Sequence, residues 1–123
     1  MEDMKQKKLQ IAETKTYLSR LSSLLNKGQD ESVLREGIKE VLRDNPTIGA
    51  VIPRTSGVRK FRYAIPGKGK RGGYRIIYYY YDDAKPLFLL SIYVKSSTEN
   101  LTAKEEKMFL DFVRLVKLEL KVN

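Results

Sequence analysis

Basic side chains that could bind and stabilise a charged phosphate are concentrated in the middle third of the chain. Between Asn45 and Tyr81 there is no acidic residue, and eight basic residues carry +8 of the formal net charge of +9. They are Arg54, Arg59, Lys60, Arg62, Lys68, Lys70, Arg71 and Arg75. A concentrated positive field attracts polyanions and gains from counterion release, so nucleic acid is the first candidate partner.

A glycine-rich basic segment lies at the centre of this block. Gly67-Lys68-Gly69-Lys70-Arg71-Gly72-Gly73 joins two runs of strand character. Such a loop lets cations and backbone N–H groups approach a phosphate closely. A basic run is also typical of an ordinary solvated surface, so the block alone does not establish nucleic-acid binding.

The composition excludes several classes of catalytic site. The 123 residues include no histidine and no cysteine, so a Ser-His-Asp triad and His- or thiolate-based zinc sites are impossible. Catalysis would have to use Lys, Arg, Tyr, carboxylates or the substrate itself. The carboxylates lie outside the basic block without ligand-like spacing, so we predict no catalytic metal and no cofactor. With no long apolar run and no export signal, we predict a cytoplasmic protein without a membrane span.

The elements that must position the basic residues form a single predicted α+β domain over residues 1–123, with residues 1–8 as a flexible polar tail. The predicted order is β-α-α-β-β-β-α, with strands at 9–13, 58–65, 74–81 and 87–95. Thr14 or Thr16 can cap the first helix, Asp30 the second, and a capping box at 102–105 the last. We predict an antiparallel central sheet with the helices packed on one of its faces, and a loop at 47–57.

Strand periodicity indicates which side chains share a face. Alternate residues point to opposite faces, so the apolar residues of the strands can join the helices. In the last strand this places Phe88, Leu90, Ile92 and Val94 on the apolar face. The uncovered face then collects Lys60, Arg62, Arg75, Tyr93 and Lys95. Like charges on neighbouring strands repel, and a bound anion would relieve that cost.

Several of these segments resemble the RelE/ParE superfamily of toxins from bacterial type II toxin–antitoxin modules, and the HigB-like branch in particular. The specific part is Gly-Lys-Gly-Lys-Arg-Gly-Gly-Tyr-Arg-Ile-Ile-Tyr-Tyr at 67–79. Weaker matches are Asn45-Pro46, Gly49 to Pro53, 57–62, and Ser91 to Lys95 with Glu99-Asn100-Leu101-Thr102. The similarity extends from about Leu9 to Leu118.

The resemblance implies a small RelE-like α+β fold and a ribosome-dependent mRNA endonuclease that acts at the 30S A site without a metal. It implies attack of the ribose 2′-OH on the adjacent phosphate, and a cognate antitoxin as partner. Arg75, in the Gly-Tyr-Arg motif, would stabilise the charge on the phosphate. Lys60 and Arg62 match family positions that clamp phosphate, and Lys60 could instead aid proton transfer.

Further roles also follow from the resemblance. Lys95 could stabilise the leaving oxygen, and Tyr93 could stack on a base or act as an acid. Arg59, Lys68, Lys70 and Arg71 would bind the RNA backbone. Some members place a catalytic tyrosine in the C-terminal segment, whereas residues 96–123 contain none. The general acid and base therefore stay open.

Two alternative functions fit the same residues. The ParE branch inhibits DNA gyrase, and a non-catalytic RNA- or ribosome-binding module would also need a basic face. A nuclease should lose activity abruptly when one central cation is replaced, whereas a binding module should weaken gradually.

Overall fold

The structure is a computed structural model that describes residues 8–25, 29–64, 73–94 and 102–120. Within these ranges the chain forms an α+β fold of three helices and a five-stranded sheet. In chain order the elements are β1 (Ile11–Glu13), α1 (Lys15–Leu24), α2 (Glu31–Asp44), β2 (Ala50–Val51), β3 (Val58–Ala64), β4 (Gly73–Tyr79), β5 (Leu87–Val94) and α3 (Ala103–Leu120). The predicted α+β class is confirmed.

The sheet has the order β1-β5-β4-β3-β2. The central strands pair antiparallel, as predicted, but β1 pairs parallel with β5, so the whole sheet is mixed. The predicted loop at 47–57 contains the two-residue strand β2, which pairs with Arg59 and Lys60 at the edge of β3.

The helices begin at the predicted N-terminal capping residues. Thr14 caps α1, and Asp30 caps α2 by accepting hydrogen bonds from the N–H groups of Ser32 and Val33. Thr102 and Glu105 form the reciprocal capping box at the start of α3, with backbone-to-side-chain bonds of 3.0 and 3.1 Å. Several predicted features lie outside the described residues: most of the tail at 1–8, the end of the first helix at 26–28, the strand end at Ile65, the loop at 67–72, Lys95 and the motif at 99–101.

Helices cover both faces of the sheet, so the prediction that all helices share one face is wrong. The first core joins α1 and α2 to side chains such as Phe61, Tyr74, Ile76 and Ile92. The second core lies on the opposite face, where Val113 and Val116 of α3 pack with Val58, Ile77, Tyr79 and Leu90. Consecutive residues of β4 are buried, which is the pattern of a strand covered on both faces.

A register shift in β5 also changes the predicted faces of that strand. Ile77 pairs with Ser91 whereas Tyr78 pairs with Leu89, so Leu90 is an extra residue in the ladder. Leu89 therefore packs in the first core with Ile92, while Phe88 and Leu90 pack with α3. The alternation that placed Phe88 and Leu90 with Ile92 and Val94 is wrong, because a bulge resets the two-residue period.

The buried phenol of Tyr78 ties the segment after α2 to the sheet. Its oxygen donates a hydrogen bond to the Pro46 carbonyl at 2.7 Å and accepts one from the Gly49 N–H at 2.9 Å. The guanidinium of Arg59 donates to the Gly49 carbonyl at 2.6 Å. These hydrogen bonds satisfy backbone groups of Pro46 and Gly49 that would otherwise have no hydrogen-bond partner just before β2.

A second polar network joins β1 to α2. Arg35 donates two hydrogen bonds to the carboxylate of Glu13 at 2.8 and 2.9 Å, and Lys39 lies 3.4 Å from the same carboxylate. The hydrogen bond from Arg35 lowers the pKa of Glu13 below its ordinary value of 4.5.

Tyr78→Phe should lower the free energy of unfolding by about 1–3 kcal/mol, because it leaves the Pro46 carbonyl and the Gly49 N–H without their partner. Tyr80→Phe is the matched control, since the Tyr80 hydroxyl bonds an exposed carboxylate of Asp83. The control should change stability by less than about 0.5 kcal/mol. Urea unfolding of both variants measures the difference, and equal losses would contradict the structural role of Tyr78.

The Glu13 pair should make stability depend on pH in the acid range. Because the folded-state pKa lies below 4.5, its contribution is complete above that pH and is lost as the pH falls through the folded value. Glu13→Gln should flatten the loss of stability between about pH 5 and pH 2. Asp111→Asn, which breaks an exposed pair with Lys107 on α3, should leave the slope as in the wild type. Urea midpoints across this range test both statements.

Candidate active site

The register of the three central strands brings the predicted site residues together. Arg62 of β3 pairs with Arg75 of β4, and Arg75 pairs with Tyr93 of β5. Adjacent strands lie about 4.8 Å apart, so these three side chains form a line across the sheet. Lys60 pairs with Ile77 one step along the same face. We call Lys60, Arg62, Arg75 and Tyr93 the basic row.

The basic row lies on the α3 side of the sheet. Ile77 is two residues after Arg75 on β4, so the two side chains point to the same face. Ile77 packs in the core beneath α3. The predicted gathering of these four residues on one face is therefore found in the structure, but α3 covers part of that face. The row borders this second core, with Arg62 exposed and the other three partly buried.

Two polar atoms of the row are buried without a hydrogen-bond partner. They are Arg75 Nη1 and the Tyr93 hydroxyl, on cross-strand neighbours. Buried polar groups are nearly always satisfied, so this pair needs an explanation. Both groups can donate a hydrogen bond, and both would be satisfied by an anion placed between them.

The surroundings of Tyr93 raise the pKa of its phenol. Burial raises the pKa of Tyr93, the charge of Arg75 opposes that rise, and the negative charge of Glu105 adds to it. Below its raised pKa the phenol keeps its proton. At neutral pH Tyr93 is thus a hydrogen-bond donor next to a guanidinium.

The absence of a side chain at Gly73 makes room for Arg62. A Cβ atom at this position would lie 3.0 Å from Arg62 Nε and 3.2 Å from Arg62 Cγ. The Arg62 side chain therefore runs across the Gly73 backbone, at the end of β4 that adjoins the glycine-rich segment.

The start of α3 is fixed against the loop that precedes β3. Arg54 Nε and Nη2 donate to the two carboxylate oxygens of Glu106 at 3.1 and 3.0 Å. Arg54 and Ser56 both have positive φ, at 65° and 61°, which non-glycine residues rarely adopt. The loop is closed by the buried hydroxyl of Thr55, which donates to the Ile52 carbonyl at 2.7 Å. Arg54 thus belongs to an ion pair outside the basic row.

The remaining predicted site residues are placed elsewhere or not described. Arg59 points away from the row, because its guanidinium donates to the carbonyls of Thr47 and Gly49. Lys95, Lys68, Lys70 and Arg71 lie outside the described residues.

Sequence reasoning missed Arg20 and Ser91 at the edge of this face. Arg20 Nη1 of α1 donates to the buried Ser91 Oγ of β5 at 3.3 Å. The two residues are 71 positions apart in the chain. Helical periodicity marked the apolar neighbours of Arg20, and no local pattern could reveal the contact.

Two features are absent from the described ranges, 8–25, 29–64, 73–94 and 102–120. In those ranges no helix is long and apolar enough to cross a membrane. The same ranges contain no group of three or more His, Cys, Asp or Glu side chains that could hold a metal ion.

Comparison with known proteins identifies the family. A family model described as the RelE toxin of the RelE/RelB toxin–antitoxin system matches residues 30–119, well over half of the chain. The fold is similar to a solved structure of the E. coli toxin RelE, a double arginine-to-alanine mutant in the free state. That similarity has a TM-score of 0.51 at 17% identity and covers 76% of this chain and 90% of the other. The chain belongs to the RelE toxin family.

Proposed function

We propose that this chain is a ribosome-dependent endoribonuclease that cleaves translated mRNA at the A site, as the toxin of a type II toxin–antitoxin pair. One observation carries the proposal: two buried, unpartnered donors, Arg75 Nη1 and the Tyr93 hydroxyl, lie side by side in a row that also holds Lys60 and Arg62. Such an arrangement fits a phosphate whose negative charge increases during the reaction.

In the proposed reaction the RNA supplies its own nucleophile. The ribose 2′ oxygen forms a bond to phosphorus, and the bond from phosphorus to the 5′ oxygen of the next nucleotide breaks. A proton leaves the 2′-OH and another reaches the departing oxygen. The products are a 2′,3′-cyclic phosphate, which can open to a 3′-phosphate, and a 5′-OH end.

The residues of the basic row divide the work according to their positions. Arg75, at the centre, donates to the non-bridging phosphate oxygens and stabilises the charge that develops there. Arg62 and Lys60 hold the same phosphate or its neighbour from β3. Tyr93 donates from its neutral phenol to an oxygen of the reacting phosphate, because its raised pKa keeps it protonated.

Residues outside the row complete the proposed interface. Lys95 follows directly after β5 and would assist the leaving oxygen. Lys68, Lys70 and Arg71 would hold the RNA backbone, as would Arg59 if RNA reaches the opposite side of β3. These assignments rest on the resemblance and on the basic charge of the segments.

The proposed partners are mRNA on the 30S subunit and a cognate antitoxin, and the proposed location is the cytoplasm. An antitoxin could cover the basic row or obstruct ribosome entry. The HigB-like branch is likewise a proposal, drawn from the motif at 67–79. Gyrase inhibition, as in the ParE branch, is the second outcome that an activity assay must distinguish.

Arg75→Ala should reduce mRNA cleavage by about 100- to 1,000-fold, because it removes the central donor to the phosphate. Primer extension on a translated message in a reconstituted translation system measures this. Wild type should give discrete cuts at A-site codons, and Arg75→Ala should not. The matched control is Arg114→Ala, which removes an exposed arginine of α3 and should leave cleavage as in wild type.

Three other results would change the assignment. Equal cleavage by wild type and Arg75→Ala would remove Arg75 from the reaction. A lack of cuts with undisturbed translation would overturn the nuclease proposal, and gyrase supercoiling assays would follow. Translation arrest without cuts would indicate a non-catalytic ribosome-binding module.

Tyr93→Phe should lower the single-turnover cleavage rate by about 10- to 100-fold, which corresponds to one hydrogen bond to a charged oxygen. The ring and its stacking surface are retained, so the loss reports the hydroxyl alone. Since the pKa of Tyr93 lies above 10.0, its titration should not appear below about pH 9, and the variant's pH profile should parallel that of wild type. A wild-type rate that falls on the alkaline side below that pH, with a flat profile for Tyr93→Phe, would contradict the protonated-donor role.

A further inference from the structure

The basic face continues past Tyr93 to the edge of β5 that α1 covers. β1 pairs with β5 at residues 87–89 only, and beyond them α1 lies beside the strand. Arg20 extends from α1 over this edge and donates to Ser91, whose ladder partner Ile77 faces α3. The guanidinium of Arg20 is therefore held at the same face as Arg75 and Tyr93.

The bonding of Arg20 differs from that of four other described arginines. Arg35 and Arg54 each bind a carboxylate through two hydrogen bonds, and Arg43 and Arg59 donate to backbone carbonyls. Arg20 remains exposed, and its hydrogen bond to Ser91 uses one of its five donors on a neutral hydroxyl. The sequence of α1 contains no acidic residue that could neutralise it.

The distance between Ser91 and Tyr93 fits the spacing of neighbouring phosphates in single-stranded RNA. Ser91 precedes Tyr93 by two residues on the same face, which corresponds to about 7 Å along the strand. A groove of about 200 Å³ lies between α1 and α3. It is lined by Lys15 and Thr16 of α1, by Leu90, and by the apolar side chains of Met108, Phe109 and Phe112 of α3. Thr16 and Arg20 are four residues apart and share a face of α1, so the groove lies about one helical turn from Arg20.

We propose that Arg20, held by Ser91, is a phosphate-binding subsite for the nucleotide next to the one bound by the basic row. Single-stranded RNA would cross the sheet over Arg75 and Tyr93 and leave over the edge of β5, between α1 and α3. This inference deepens the proposed function and rests on it for the identity of the ligand, but RNA binding tests it without any need for cleavage.

Arg20→Gln is the decisive variant, because glutamine keeps a donor for Ser91 and removes the charge. The probe is a short fluorescein-labelled oligouridylate, titrated with the full chain over a range of salt concentrations. Arg20→Gln should weaken binding about tenfold. It should also reduce the slope of log affinity against log salt by about 0.7, the value for one single-strand phosphate contact. Arg20→Lys should keep the slope.

Two controls separate this role from a structural tie. Ser91→Ala removes the hydrogen bond but leaves the charge, so its salt slope should equal that of wild type. Arg114→Ala removes an exposed cation from α3 and should bind RNA as wild type does. The inference is overturned if Arg20→Gln keeps the wild-type slope, or if Arg114→Ala shows the same loss. It is also overturned if Arg20→Gln weakens only the binding of an acidic protein partner.

Stability and cleavage measurements make the outcome unambiguous. If Arg20→Gln unfolds at a much lower urea concentration than wild type, the salt slopes of Arg20→Lys and Ser91→Ala are used instead. Both variants keep the charge, so both should keep the wild-type slope of log affinity against log salt. A reduced slope for Arg20→Lys overturns the inference. Cleavage by wild type with unchanged RNA binding by Arg20→Gln would defeat this inference alone. An Arg20-dependent salt slope without cleavage would defeat the nuclease proposal and leave the subsite standing.

Discussion

The pairing of β4 on both of its edges is the constraint on which the rest of the structure depends. Tyr74, Ile76 and Tyr78 are buried against α1 and α2, so the alternate residues must point to the other face. A slip of one residue would turn these three side chains away from α1 and α2 and toward α3, and it would bury Arg75 among the apolar side chains of the first core. The position of Arg75 at the centre of the basic row is therefore a consequence of the hydrophobic core, and the register cannot drift without unfolding that core.

The basic row carries an electrostatic cost. Arg62 lies directly opposite Arg75, and like charges on paired strand residues are destabilising. Elsewhere in the described residues several cations have carboxylate partners, as in the pairs of Arg35 with Glu13 and Arg54 with Glu106. A chain that can neutralise its arginines but leaves two of them side by side gives up stability at that point, which is expected where a site must accept an anion.

The sequence predicted those features that depend on local pattern. Thr14, Asp30 and Thr102 cap helices because their side chains bond the next turn, and strand alternation places Lys60, Arg62 and Arg75 on one face. The sequence did not predict features that depend on contacts between segments far apart in the chain. The side of the sheet taken by α3 depends on Val113 and Val116 meeting Val58 and Ile77, and the bulge at Leu90 depends on how β5 fits β4. The contact of Arg20 with Ser91 joins two elements that the sequence separates by most of the chain.

Helical periodicity did not predict which face of the sheet α3 covers. The position of α3 also determines the environment of the basic row. Its apolar side covers part of the sheet face, and the pair of Arg54 with Glu106 fixes its first turn against the loop that precedes β3. Tyr93 is consequently partly shielded from water. Its phenol also interacts with the charge of Glu105 on α3 and with that of Arg75 on β4. Charges interact more strongly where water is partly excluded, so a guanidinium and a neutral phenol held there stabilise an anion more than the same groups would on an open sheet. In the proposed site, the partial exclusion of water by α3 would strengthen the interaction of Arg75 and Tyr93 with an anion, and the negative charge of Glu105 would oppose it.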